Sequence, residues 1–212
     1  MSYLAFSKNL AGFLTERAGL ADEKEAVLAY AIEMLVITLG NILCALMLAA
    51  LLGVLPGALS CLAAAFMFRY TAGGAHSSSP WRCAAVTITI YPALALLAVS
   101  LAGLGTTFID ALSAIAMLTG LITIAVLAPV DSPAAPIISP HRRKKLKALS
   151  LAVFAIIAAT VILLRWSGWV YAAQIRVCLI LTVLWVSFML SKPGHRLMFL
   201  VDRIKLKEVR DL

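Results

Sequence analysis

The chain has 212 residues, of which 63% are apolar and only 13% charged, with a formal net charge of +8. A soluble domain of that length is nearer half apolar and a quarter charged, so a mean hydropathy of +1.00 excludes an ordinary water-soluble fold and requires lipid to solvate the surplus. Nucleic-acid binding is not indicated either, because the cations are scattered along the edges of apolar runs with no nucleic-acid-binding motif.

The elements follow in chain order. Residues 1–20 show helical spacing, with Tyr3, Phe6, Leu10, Phe13 and Leu14 on one face and Ser2, Lys8, Asn9, Thr15 and Glu16 on the other. That pattern predicts an amphipathic helix lying in the membrane interface; a plain cytosolic extension is the alternative. The segment has no continuous apolar core and fits no signal h-region. Six apolar runs follow between residues 26 and 190, at 26–52, 54–68, 83–103, 108–128, 149–164 and 170–190. A spanning helix needs about 20 apolar residues for a hydrocarbon core of about 30 Å. The first, third, fourth and sixth runs meet that length and the fifth falls slightly short. The second is the weakest, being short and carrying Pro56 and Gly57 at its start, and reads as a re-entrant hairpin or a short span in thinned bilayer. The tail, 191–212, places Leu197, Leu200, Val201 and Ile204 among Arg196, Arg203, Lys205 and Lys207. The expectation is an all-α polytopic membrane protein, a single membrane domain of about six spans with a basic tail.

Basic residues set the orientation. With six crossings and a cytosolic N-terminus, every Lys and Arg falls inside except Arg165, which lies outside, and Arg176, which lies within the last span. Such an asymmetry predicts a multi-pass protein with both termini cytosolic. It also favours the second run as a full span, since a re-entrant segment would move every later basic cluster to the other side. The inner-face cations would attract anionic membrane lipids, at about 1 kcal/mol per residue near the surface, and are compatible with an acidic peptide partner.

Chemistry is sought among polar groups that are costly where they sit. Cys44, Cys61 and Cys178 lie inside apolar runs and read as packing residues. Cys83 differs, since it opens the third span at the end of the polar loop 69–83. A reactive thiol needs its thiolate stabilised by an imidazole, a cation or a helix N-terminus, and His76, Arg82 and the start of the third helix are all at hand. Gly73 and Gly74 permit a sharp turn. On one unbroken helix residues seven apart stand about 10 Å apart along the axis, so contact between His76 and Cys83 needs a break, which Pro80 is placed to supply. The bland alternative is that both are incidental members of an interfacial loop. No metal or cofactor is expected, because one His and one Cys are too few for a zinc site and His141 and His195 sit in separate charged segments. Two carboxylates are candidates to orient the imidazole: Asp110, at the outer start of the fourth span, and Glu33, about 10 Å deep in the first. For Glu33 the structural reading is favoured, either as an interhelical partner of Arg176 or as a neutral acid hydrogen-bonded within the bundle, and a dyad without a carboxylate is acceptable.

The stretch Arg69-Tyr70-Thr71-Ala72-Gly73-Gly74-Ala75-His76, with Cys83 seven residues later, resembles the signature of the accessory gene regulator B family, bacterial membrane cysteine peptidases of quorum sensing. The segment Ala128-Pro129-Val130-Asp131, leading into the basic run from Arg142 to Lys147, is similar to that family's second cytosolic loop. The resemblance implies a bacterial plasma-membrane endopeptidase that removes the acidic C-terminal part of a propeptide and holds the remainder as a thioester. The remainder then cyclises to a thiolactone or lactone. By position it implies Cys83 as nucleophile, His76 as general base and acid, and Arg69 and Gly74 as shaping the site. A homodimer is also what it implies, with no small-residue stripe deciding it. The Ala/Pro-rich segment 132–137 departs from the usual pattern, where relatives carry Asn and a basic residue. Two readings compete: a small transporter or channel with Glu33 and Arg176 lining its path, in which Cys83 is dispensable, and a scaffold presenting basic loops, in which no side chain is critical.

Overall fold

The computed structural model describes residues 5–19, 22–77, 79–131 and 137–204, with the side chains of Asp22 and Glu23 outside that description. The expectations that rest on Ser2, Tyr3, Ser78, residues 132–136, Lys205, Lys207 and Arg210 lie outside the described residues. Every regular element among the described residues is a helix. In order they are α1 (Ala5–Ala18), α2 (Asp22–Leu51), α3 (Leu55–Thr71), α4 (Pro80–Ala102), α5 (Thr106–Leu127), α6 (Pro140–Arg165), α7 (Ala172–Leu190) and α8 (Lys192–Arg203). Five of them, α2 and α4 through α7, are long and apolar enough to cross a membrane. The protein is a multi-pass, all-α membrane protein.

The fifth expected span is not short. Its helix, α6, starts nine residues earlier, at Pro140, because proline suits the first helical position and Ser139 accepts a capping bond from the Arg142 amide. The basic run from Arg142 to Lys147 is therefore helix and not loop. The second expected span, α3, has 17 residues, short of a full crossing by length alone. Its packing nevertheless rules out a hairpin. Near its start, a Cβ on Gly57 would stand 2.8 Å from both Cys178 Sγ and Gln174 Nε2 of α7. Just past its end, the Ala75 amide donates to the Met189 carbonyl of α7 at 2.9 Å. One continuous helix thus runs parallel to α7 from end to end.

The chain divides into two compact units, Met1–Cys44 and Ala45–Leu212. In the first, α1 buries Ser7, Ala11 and Thr15, a stripe of small residues, and exposes Phe6 and Phe13. Glu33, on α2, is 3% exposed, whereas Leu35, Leu39 and Leu43 on the same helix are exposed.

In the second unit α7 is the central element, packed by α3, α4, α5, α6 and α8. Val177, Cys178, Ile180 and Val183 on α7 are fully buried, as a helix apolar on all sides requires. Glycine lets the helices close up: a Cβ on Gly120 of α5 would overlap Val183 and stand 3.0 Å from the Phe154 ring of α6. Outward-facing positions such as Leu118, Ile122 and Val126 on α5, and Ile156 and Leu163 on α6, carry exposed apolar side chains. Such surfaces suit lipid and not water.

Candidate functional site

The site is built from the segment between α3 and α4. Helix α3 ends after Thr71, and Gly73 and Gly74 follow with φ of +75° and +115°, backbone that residues with a Cβ rarely adopt. Arg69, in the last turn of α3, folds over this turn, its Nη1 donating to the Gly74 and Ala75 carbonyls at 3.2 Å each. Gly73 pairs as an isolated parallel bridge with Val130, and the Val130 amide donates to the Ala72 carbonyl at 2.9 Å. The segment 128–131, singled out in the sequence, is thereby joined to the glycine turn. A Cβ on Gly73 would stand 2.5 Å from the Val130 oxygen, so this approach needs glycine on steric as well as conformational grounds.

His76 follows, half-buried, with Nδ1 3.1 Å from the Ser77 carbonyl. A carbonyl only accepts, so in that bond Nδ1 carries the proton and Nε2 is the basic ring nitrogen. Helix α4 begins at Pro80, which supplies the expected break between His76 and Cys83. Cys83 sits in its first turn, half-buried with a free thiol, its amide donating to the Ser79 carbonyl at 3.1 Å. The amides of Trp81 and Arg82, immediately before it in the same turn, have no carbonyl four residues back inside the helix.

The neighbours of both candidates lead to one residue. The Ser77 hydroxyl donates to Asp202 Oδ1. Arg82 Nη1 donates to the Asp202 carbonyl at 2.7 Å, and Nη2 to the Ile204 carbonyl at 2.7 Å. Deeper in the bundle, Tyr91 of α4, partly buried against the core, lies near Arg69, Cys61, Cys83 and Trp185. Beside the glycine turn, a cavity of about 730 Å³ is lined by Leu127, Leu190, Pro193, Lys192, His195 and Arg196. Leu190 joins the two, its Cδ2 lying 3.7 Å from where a Gly74 Cβ would stand.

A model of the accessory gene regulator B family matches residues 7–190. The chain belongs to the accessory gene regulator B family. It is also similar to AgrB-like protein 2 of Clostridium perfringens (strain 13 / Type A), at 26% identity over 202 residues, covering 92% of this chain and 94% of that protein. No solved structure matches it. Family membership supports involvement in the processing of an autoinducing peptide for quorum sensing.

The structure gathers Arg69, Gly73, Gly74, His76 and Cys83 at one end of the accessory gene regulator B bundle. Glu33 belongs to the other compact unit, Met1–Cys44. Asp110 takes no part in the site. It accepts from Arg176 Nη2 at 2.6 Å and from Arg165 Nε at 2.9 Å, and Arg176 Nη2 also reaches Ser113 Oγ at 3.1 Å. This network ties α5, α6 and α7, about 20 Å along α7 from Met189. Asp110 and Ser113 thus hold Arg176, which was one of the alternatives for a partner of Glu33. Sequence reading passed over Asp202, Ser77 and Tyr91. Only Tyr91 carried a signal, lying two helical turns past Cys83 and close to its face.

Proposed function

We propose that this protein is a membrane cysteine endopeptidase that cuts a quorum-sensing propeptide and cyclises its N-terminal part through an acyl-thioester. One observation carries the reading: His76 and Cys83 flank the turn that leads into α4, and their neighbours Ser77 and Arg82 both bind Asp202. In this mechanism His76 Nε2 takes the Cys83 thiol proton as sulfur attacks the scissile carbonyl. The amides of Trp81 and Arg82 and the positive end of α4 face the developing oxyanion. The C–N bond then breaks, His76 returns its proton to the departing amine, and the acyl group stays on Cys83. A thiol or hydroxyl within the held peptide attacks that thioester, closing the ring and releasing the thiol.

Exchange of a thioester with a peptide thiol is nearly isoenergetic, whereas water would discharge it irreversibly. A site walled by α7 and fringed by exposed apolar side chains limits that loss. The cleft beside Gly74 suits the acidic leaving part, since Lys192, His195 and Arg196 are among the residues that line it, together with Leu127, Leu190 and Pro193. In this reading α3 completes six crossings, the loop and both termini face the cytosol, and anionic lipids gather at the basic rim. Α homodimer carries over from the family. Glu33 and Arg176 as a transport path have less support, because Asp110 and Ser113 already occupy the guanidinium.

The test co-expresses the propeptide encoded by the short reading frame beside the gene with wild type, Cys83→Ala and His76→Ala. Mass spectrometry should find processed peptide with wild type alone. Processing by both variants would reject the peptidase reading.

A further inference from the structure

We infer that Asp202 is a positioning residue of this site: a carboxylate from α8 that gathers both ends of the 76–83 segment so that imidazole and thiol meet. The inference rests on the peptidase reading above. Its basis is a convergence from 120 residues away. Ser77, next to His76, is 6% exposed and gives its hydroxyl proton to Asp202 Oδ1, while its oxygen accepts from the Ser79 amide at 3.1 Å. With both roles taken, the hydroxyl has one orientation. Arg82, next to Cys83, grips the same residue by the backbone carbonyl, with Nη1 3.8 Å from Oδ1, and extends to the Ile204 carbonyl. Consecutive Cα atoms stand about 3.8 Å apart, so a residue that binds Ser77 and Arg82 constrains His76 and Cys83 directly.

Local preference does not explain an aspartate there. Asp202 lies in the last turn of α8, where the helix dipole disfavours an anion and suits a cation such as the adjacent Arg203. A residue set against its own helix points to a role outside it. Gly194 delivers it: its Cα lies against Phe188 and Met189, with a Cβ only 2.7 Å from the Met189 Cα, so α8 turns back tightly at the end of α7. Asp110, the acidic candidate within the same unit, does not serve, because it binds Arg165 and Arg176 at the far end of the bundle. Asp202 acts through Ser77 and Arg82 and is not itself a catalytic residue.

The test uses full-length protein in membranes with the propeptide encoded beside the gene. Asp202→Ala should lower kcat by about 100-fold, the scale of a small misplacement of reacting groups, with KM unchanged. Alkylation of Cys83 by iodoacetamide, followed on its own peptide, should slow to the rate seen in His76→Ala. Asp202→Glu should recover most of both. Ser77→Ala with Arg82→Gln removes the same contacts from the other side and should reproduce the loss, which decides the matter if Asp202→Ala does not accumulate. Wild-type kcat in Asp202→Ala, or a loss accompanied by wild-type alkylation, overturns the inference. Processing by Cys83→Ala would instead reject the peptidase reading, and the alkylation rates would still report on the clamp.

Discussion

Replacing Gly73 by alanine probes the junction on which the site is built. A Cβ at φ +75° costs about 1–2 kcal/mol from backbone strain. The same Cβ would stand 2.5 Å from the Val130 oxygen, so the strand-like pairing has to part, and with it the Val130–Ala72 hydrogen bond, worth about 1 kcal/mol. The total, about 2–3 kcal/mol, weakens the closed arrangement by about 30- to 150-fold. Gly53→Ala is the matched control, since Gly53 also has positive φ, +70°, but nothing within 4 Å of its Cβ position. Propeptide processing and thermal aggregation in detergent are measured for both. Gly73→Ala should lose most processing while keeping its helical content, and Gly53→Ala should lose little. Equal activity in the two would show that contact with Val130 does not hold the site, refuting the reasoning.

Further outcomes follow from other parts of the bundle. Asp110→Ala removes the charged partner of Arg176, whose side chain is 8% exposed, and leaves it the Ser113 hydroxyl. Losing the partner of a buried guanidinium is destabilising, an effect that solvent moderates here because Asp110 itself is 41% exposed. Its aggregation temperature in detergent should fall further than that of Arg165→Ala, while surviving protein still processes peptide. Gly120→Val forces side-chain atoms into Val183 and the Phe154 ring, and overpacking of about 1–3 kcal/mol should show as reduced accumulation in membranes. Cys61→Ala and Cys178→Ala should both retain processing, since these buried thiols sit in the α3–α7 contact. Loss of activity in either, at normal protein level, would contradict their assignment as packing residues.

Much of this architecture was legible in the sequence because lipid makes a simple demand: long apolar runs become helices. The loop was legible too, since Gly73, Gly74 and Pro80 are local punctuation that acts wherever the rest of the chain lies. Where the sequence reading stopped short, the missing information was non-local. α3 is short by count, and its course along α7, from Gly57 to Ala75, could not be read from the sequence. A pairing of Arg176 with Glu33 was one structural alternative, although Asp110 and Arg176 both lie near the outer ends of their runs, a proximity that topology alone could have revealed. Asp202 was invisible, because the tail was read for its apolar face and nothing in Val201-Asp202-Arg203 points to Ser77. α6 was read as short because its basic residues were counted as loop, though Ser139-Pro140 is a recognisable helix start.

The decisive measurement is intact-mass and peptide-mass analysis of the purified protein mixed with its propeptide and quenched in acid. The account predicts a hydroxylamine-labile adduct on Cys83 with the mass of the propeptide's N-terminal part, absent from Cys83→Ala and scarce in His76→Ala. Cleaved peptide without any such adduct, produced equally well by Cys83→Ala, would contradict it.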